Sequence, residues 1–293
     1  MISDTNTLYI TTKGKKRDPS TPIKAKWEGR EHLSAIWNFA QGLNSTPMSF
    51  HEAKEHPEMT WLIYGAAMAK VVQHCWANKI NFFYIDNQYL GNVRSNKKFH
   101  RIIRNHVHDI RPLIDRPADR LRNLQRWLDF VKLKRPDQLP TSIDLKPFRG
   151  GDYILLAPPS PKSFKMWDMD DQEWIANTVA EIKRHTKRPI VVREKRGRDD
   201  RFRQDTMEEA LRNAHCLVTY NSVSAVEAVV NGVPAITLGP NAAHHVSGHQ
   251  LSTIENPFMP DDILREKWMR HLSYSQFTRK ELLDGTAWSI LNE

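Results

Sequence analysis

The stretch CLVTYNSVSAVEAVVNGVPAITLGP, residues 216–240, decides the fold of this chain. Residues 216–220 are apolar enough for a buried strand, and residues 222–231 have the spacing of a helix that ends at Gly232. Residues 234–238 then predict a second strand. Strand, helix and strand in this order indicate a parallel βαβ unit.

The same alternation continues upstream of this stretch. Residues 153–157 (YILLA) and 189–193 (PIVVR) predict buried strands, and residues 170–185 and 206–214 predict the helices that follow them. Such regular alternation with short connections indicates a doubly wound sheet. Its ligand site is expected at the carboxyl ends of the strands.

The first half of the chain predicts a second parallel sheet. The expected elements are strands at 7–12, 61–65 and 81–85, helices at 31–42 and 66–78, and a basic amphipathic helix at 116–133. Three prolines and two glycines in residues 136–151 favour a linker. We therefore expect an α/β protein with two Rossmann-like domains facing across a cleft. These are a basic domain at 1–140 and a second domain at 151–293 with a helical C-terminal tail.

Composition limits the class of protein. Of 293 residues 40% are hydrophobic, enough for substantial cores, and the two cysteines, Cys75 and Cys216, have no zinc-ligand or disulfide spacing. The first residues lack the basic start and apolar run of a signal peptide, and no run approaches ~18 apolar residues. We expect a soluble, cytoplasmic protein.

Positive charge is concentrated in the first half. The net charge is +9, and residues 1–150 contain 25 Lys and Arg against 14 Asp and Glu. Residues 94–135 alone contain 13 basic and 4 acidic residues. A single charge run is usually a solvated helix face, whereas an imbalance over a whole domain favours a polyanionic partner.

The turn after residue 220 is the strongest candidate site. Asn221, Ser222 and Ser224 lie where a strand gives way to a helix, and free N–H groups there can receive a diphosphate. Glu227 lies one turn further along, within reach of a ribose. The alternative is that Ser222 caps the helix and Glu227 is an ordinary surface residue.

The pattern N-S-x-x-x-x-E-A-x-x-x-G-V-P, residues 221–234, resembles the donor half of GT-B glycosyltransferases, capsule-type sugar transferases in particular. The chain is also similar to a group of bacteriophage proteins in its PPS loop (158–160), its RPIxVR strand (188–193) and its QFTxxELxxGTAW tail (276–288). The resemblance implies that Ser222 and Ser224 hold the donor diphosphate and that Glu227 holds the ribose. It also implies an acceptor-binding domain at 1–140 and a nucleotide-sugar-binding domain at 151–293, and a location in the host cytoplasm if a phage encodes the chain. It identifies no donor and no acceptor.

Two further loops supply cations to the same edge of the expected sheet. Ser160 and Lys162 follow one strand, and Arg193 and Lys195 follow the next. Cations stabilise a departing nucleoside diphosphate when no metal does so, and we expect a metal-independent reaction without a cofactor. The alternative for the second loop is a solvated surface. The sequence lacks a Walker loop, which counts against a kinase or ATPase.

Three residues are candidates for the catalytic base. Asp86 ends an expected buried strand, and His244 and His245 follow the last strand of the expected donor domain. The alternative is that Asp86 and its neighbour Asn87 only form a turn. Stereochemistry at the anomeric carbon is left open by the sequence.

These observations predict a glycosyltransferase that uses a nucleotide sugar. The phage resemblance and the basic first half suggest a hydroxymethylated base in DNA, flipped into the site, as the acceptor. A transferase that builds an acidic surface polysaccharide and a non-catalytic nucleic-acid-binding protein are the alternatives. The residues expected to contact DNA are Arg94, Lys97, Lys98, Arg101, Arg104, Arg120, Arg122 and Arg126.

Overall fold

The computed structural model describes residues 6–10, 34–91, 98–134, 143–194 and 206–293. Three predicted site residues, Arg94, Lys97 and Lys195, lie outside these ranges. The chain forms two compact units, the first made of Met1–Gln88, Lys97–Val107 and Ser275–Glu293, and the second of Tyr89–Asn96 and His108–Tyr274.

The described residues contain ten strands and eleven α-helices. The strands are β1 (Thr7–Ile10), β2 (Thr46–Met48), β3 (Thr60–Tyr64), β4 (Phe82–Asn87), β5 (Phe99–Arg104), β6 (Tyr153–Leu156), β7 (Ile190–Val192), β8 (Ala214–Thr219), β9 (Ala235–Thr237) and β10 (Gln276–Thr278). The helices are α1 (Ala35–Gly42), α2 (Phe50–Ala53), α3 (Ala69–Ala77), α4 (Asp119–Lys134), α5 (Pro161–Phe164), α6 (Asp171–His185), α7 (Met207–Leu211), α8 (Ser224–Val230), α9 (Asp262–Ser273), α10 (Arg279–Leu283) and α11 (Thr286–Leu291).

The first unit is built on a six-stranded sheet in the order β10-β5-β4-β3-β1-β2. Strands β1 to β4 are parallel, whereas β5 runs antiparallel to β4 and β10 runs antiparallel to β5. Phe39 from α1, Phe83 from β4 and Phe277 from β10 lie in one buried cluster beside this sheet. The unit is therefore α/β, and its sheet is parallel except for the antiparallel strands β5 and β10 at one edge.

The second unit contains a four-stranded, fully parallel sheet in the order β7-β6-β8-β9. Ile154, Cys216, Val218 and Ile236 from three of its strands are completely buried in one cluster, and Ile182 of α6 joins them. Strands buried in this way read as continuous apolar runs, which is why the sequence revealed β6, β8 and β9. Strand β7 was also expected to be buried, but it lies at the edge of the sheet with Val191 and Val192 43% and 37% exposed.

Capping side chains set where several helices begin. The side chains of Asp170, Thr206 and Asp261 accept backbone N–H groups at the first turns of α6, α7 and α9. At Thr206 the bond is part of a capping box with Glu209. These residues satisfy backbone donors that a helix leaves unpaired at its start.

The division of the chain differs from the one expected at residues 140–151. Residues 275–293 belong to the first unit because β10 pairs with β5, and α4 belongs to the second. The described part of the expected linker is also packed, since the N–H of Lys146 donates to Val230 O and that of Arg149 donates to Gly232 O. Proline content indicated a linker here, but backbone hydrogen bonds fix the segment to the second unit.

None of the helices in the described ranges is both long enough and apolar enough to span a bilayer.

Candidate functional site

The topology of the second sheet identifies its ligand-binding edge. Along the chain β6 is followed by β7 on one side and by β8 on the other, so the strand order reverses between β6 and β8. In open parallel sheets, ligands bind at the carboxyl ends of the strands at such a reversal. The loops after β6 and β8 carry the predicted residues Ser160 and Ser222.

A hydrogen bond joins these two loops. The hydroxyl of Ser163, in α5, donates to Oδ1 of Asn221 at 3.2 Å. Asn221 and Ser224 are 2% and 4% exposed, and within the described chain neither Nδ2 of Asn221 nor Oγ of Ser224 has a hydrogen-bond partner. Buried polar atoms are nearly always paired in folded proteins. Two unpaired atoms at the switch point therefore favour a ligand that pairs with them.

Ser222 contributes to the turn itself. Its N–H donates to Oγ1 of Thr219 at 3.2 Å, and its Oγ accepts the N–H of Ser224 at 3.3 Å. The carbonyl of Ser222 accepts Nδ2 of Asn241 at 3.0 Å, which ties the turn to the loop after β9. Part of the capping role considered for Ser222 is thus present. The turn is held by side chains from both neighbouring loops.

The other predicted donor-site residues lie around this edge. Ser160 is the half-buried N-cap residue of α5, Lys162 is exposed, and Glu227 is half-buried in α8. Arg193 follows β7, where its N–H extends the sheet by donating to Leu156 O at 2.8 Å. Because β7, β6 and β8 are adjacent and parallel, these residues share one edge of the sheet. Their roles in binding stay predictions.

An aromatic cluster beside Asn221 was missed from the sequence. The ring of Tyr220 lies 5.8 Å from Trp167, 6.3 Å from Trp174 and 6.5 Å from Phe164, measured between centroids. A Cβ atom at Gly239 would lie only 2.5 Å from the Tyr220 ring, so only glycine fits there. These rings pack around Tyr220, the residue that precedes Asn221. The aromatic spacing alone gave no sign that these residues meet.

The histidine loop after β9 contains three imidazoles in contact. His244 stacks on His249 at 4.3 Å and lies edge-on to His245 at 5.3 Å. Partial burial and the charges of His249 and His245 lower the pKa of His244. A neutral His244 can act as a base or as a hydrogen-bond partner at neutral pH. His249 was not among the residues predicted from the sequence.

Asp86 occupies the end of β4 in the first unit. Its Oδ2 accepts from the hydroxyl of Tyr84 at 3.1 Å and from Arg101 at 3.2 Å, and its Oδ1 accepts the N–H of Asn87 at 2.7 Å. Burial and the Asp86 carboxylate raise the pKa of the nearby Tyr64. Asp86 is thus more than a turn residue, and it stays a candidate base.

Two of the residues expected to contact DNA are used inside the protein. Arg101 is 5% exposed, pairs with Asp86 and donates to Asn87 O, so it is not a surface cation as predicted. Arg120 lies over the ring of Tyr274 and donates to Ser273 O at 3.2 Å. The described residues of this group that are exposed are Lys98, Arg104, Arg122 and Arg126.

The structural units also redistribute the charge. The first unit contains 16 Lys and Arg against 11 Asp and Glu, a net charge of +5, and the second contains 27 against 23, a net charge of +4. The positive charge is therefore not concentrated in one unit, as the sequence suggested. Residues 108–150, which include the basic helix α4, belong to the second unit and bring much of that charge with them.

In the part of the chain that is described, no group of three or more His, Cys, Asp or Glu side chains is arranged to hold a metal ion. The expected metal independence stays a prediction.

No family model matches the sequence, and no curated protein matches it. Among solved structures, the chain is similar to the β-Kdo 2,7-transferase of KpsC from Thermosulfurimonas dismutans, with a TM-score of 0.49 and 11% identity over 98% of this chain and 99% of that chain. The β-Kdo 2,4-transferase of the same KpsC gives a TM-score of 0.39 and 10% identity over 82% of this chain and 96% of that one. Both TM-scores are below 0.5, so neither similarity supports an assignment of reaction or substrate.

Proposed function

We propose that this protein transfers a glycosyl group from a nucleotide sugar to an acceptor hydroxyl. The donor binds at the carboxyl edge of the second sheet, at the reversal between β6 and β8. The observation that carries the proposal is a pair of buried polar atoms in the turn after β8, Asn221 Nδ2 and Ser224 Oγ, that have no hydrogen-bond partner among the described residues. Such atoms destabilise a folded protein unless a ligand satisfies them.

The proposed donor contacts follow from this placement. Asn221 and Ser224 donate hydrogen bonds to phosphate oxygens, while Lys162 and Arg193 stabilise the charge of the departing nucleoside phosphate. Glu227 contacts the ribose. A group that binds the leaving phosphate more strongly as its charge develops accelerates transfer, rather than only tightening donor binding.

A general base completes the reaction by removing the proton of the acceptor hydroxyl. Asp86, His244 and His245 are the candidates. Asp86 accepts hydrogen bonds on both oxygens and pairs with Arg101. The GT-B-like pairing of a donor domain with an acceptor domain stays part of the proposal.

A saccharide hydroxyl is the acceptor that we favour over a DNA base. The case for DNA depended on the resemblance to phage proteins and on a basic domain, and the compact units share the positive charge almost equally. Burial of Arg101 removes one of the expected phosphate contacts as well. The remaining alternative is a binding protein without catalytic activity.

The proposal is tested by calorimetric titration of the full chain with a panel of nucleoside phosphates and nucleotide sugars. We expect saturable binding of at least one of them, and Asn221→Ala should weaken it by about tenfold or more, equivalent to ~1.4 kcal/mol. Asn177→Ala, at an exposed position on α6 of the same unit, is the control and should bind as the parent does.

Release of the sugar to water or to added saccharides then reports catalysis. Binding without any turnover would favour the non-catalytic alternative. Absence of binding across the whole panel, with the parent folded, would remove the proposal.

A further inference from the structure

The imidazole of His245 is held by the backbone of a separate segment of the second unit. Its Nε2 lies 2.8 Å from the carbonyl oxygen of Arg111. Because a carbonyl can only accept, Nε2 must carry the proton of this hydrogen bond. In a neutral ring, Nδ1 then keeps the lone pair, and within the described residues this atom makes no hydrogen bond.

The position of the Arg111 carbonyl is fixed by a buried carboxylate. Asp109, whose side chain is completely buried, accepts Nε of Arg111 at 2.9 Å and Nη2 at 2.7 Å, and its own N–H donates to the hydroxyl of Tyr89 at 3.0 Å. Burial alone would raise the pKa of Asp109, but the hydrogen bonds and the charge of Arg111 hold it well below its usual range. A bidentate pair of this kind restricts the backbone between its two members.

His271 of α9 supplies a second anchor. Its Nδ1 accepts the N–H of Ile114 at 3.2 Å, so the proton of its ring is on Nε2. That nitrogen lies 3.4 Å from Oδ2 of Asp109. The segment that positions His245 is therefore hydrogen-bonded to α9 at Ile114, and at Asp109 it makes a close electrostatic contact that lacks hydrogen-bond geometry.

We propose that Asp109 and His271 are positioning residues that act through the Arg111 carbonyl to hold His245 in its Nε2–H tautomer. Nδ1 is then the nitrogen that takes a proton from the acceptor or contacts the substrate. A base held in one tautomer by a third group is a recurrent requirement of proton transfer in enzymes. The chemical role of His245 rests on the proposed function, whereas its tautomer does not.

The test is ¹⁵N nuclear magnetic resonance of the histidine side chains in the full chain, which distinguishes the two tautomers. We expect the Nε2–H form of His245 to dominate in the parent. Asp109→Asn removes the charge that clamps Arg111 and should lower the ratio of Nε2–H to Nδ1–H forms by about fivefold, the contribution of one hydrogen bond. Asp115→Asn, an exposed carboxylate of the same segment that pairs with Arg270, is the control and should leave the ratio unchanged.

The proposal is overturned if the parent shows the Nδ1–H form at His245, or if a folded Asp109→Asn variant keeps the parent ratio. Should Asp109→Asn fail to fold, substitutions of His245 decide instead. The amide nitrogen of Gln can replace Nε2 as donor to Arg111 O, whereas the shorter Asn cannot reach it. We expect His245→Gln to keep the parent melting temperature and His245→Asn to lower it, and equal values would contradict the proposal.

Neither readout needs a donor. The expected tautomer in a chain that binds no nucleotide sugar would leave the positioning intact and would remove only the proposed function.

Discussion

At the scale of single residues, the candidate donor site combines poor polar pairing with tight packing. Asn221 and Ser224 are buried with unpaired atoms, while Tyr220 beside them is enclosed by aromatic rings and Gly239. Among the described residues, the two unpaired atoms have no hydrogen-bond partner. The unpaired atoms lower the stability of the free protein, and a bound ligand that pairs with them raises it.

Substitution of Ser224 by alanine tests whether this turn lowers stability in exchange for nucleotide affinity. Ser224→Ala removes an unpaired buried hydroxyl, so the free energy of unfolding should stay the same or rise by up to ~1 kcal/mol, while nucleotide affinity falls. Chemical denaturation and calorimetry measure the two effects. Ser273→Ala is the control, because Ser273 is 2% exposed and its hydroxyl donates to Arg270 O at 2.7 Å. It should lose about 1 kcal/mol of stability and keep its affinity. Equal destabilisation of both variants would contradict the interpretation.

Asp86 gives a second prediction at this scale. Asp86→Asn keeps the size of the side chain but removes the base, so turnover should fall by ~100-fold or more with little change in donor affinity. Steady-state rates and calorimetry are the measurements, and Glu58→Gln at an exposed position is the control. Near-parental turnover in Asp86→Asn would leave the role to His244 or His245.

At the scale of elements, the sequence revealed seven of the eight parallel strands among the described residues and missed the parallel β2 and the antiparallel β5 and β10. Strands β1, β3, β4 and β6 to β9 lie within two residues of their expected positions, since apolar runs between helices are a local signal. Strand β5 was interpreted as part of a basic run because it contains His100, Arg101 and Arg104. Arg101 is buried there, where it donates to Asn87 O and pairs with Asp86. That partner is brought in by the fold and has no local signature.

The same reason explains which parts of the site were missed. The turn at 221–227 is contiguous in sequence, so its polar residues could be recognised together. Asp109 and His271 are far apart along the chain and meet only because α9 packs beside the segment that follows residue 107. Strand β10 is likewise far along the chain from its partner β5. Its residues were recognised as part of the C-terminal motif, but not as a strand.

The dependence of the first unit on β10 can be tested directly. Phe277 is completely buried in the core cluster of that unit, so Phe277→Ala should destabilise it by about 3–5 kcal/mol. Hydrogen exchange followed by mass spectrometry should show lost protection in β4 and β5. Protection in β6 and β8 should change little, because these strands belong to the other compact unit. Leu283→Ala, at a position 47% exposed in α10, is the control. Equal loss in all four strands would mean that both units unfold together.

At the scale of the whole molecule, the net charge of +9 is shared by both units rather than concentrated in one. The exposed Lys and Arg side chains that were expected to contact DNA are also divided between the two units. Lys98 and Arg104 belong to the first unit, and Arg122 and Arg126 belong to α4 in the second. A shared charge of this size favours weak attraction to polyanions in general over a dedicated DNA surface.

A salt titration of duplex DNA binding distinguishes weak general attraction from a dedicated DNA surface by the slope of affinity against salt. Each phosphate contact contributes a log–log slope of roughly −0.9, so we expect a slope no steeper than about −3 and little binding at physiological salt. The double variant Arg122→Ala/Arg126→Ala should change the slope no more than Lys183→Ala/Arg184→Ala, which removes the same charge from exposed positions on α6. Nucleotide-sugar affinity should be the same in both variants, because the donor site does not include these residues. A slope of about −6 or steeper that only the α4 variant reduces would restore DNA as the acceptor, since it would require several phosphates to be bound along that helix.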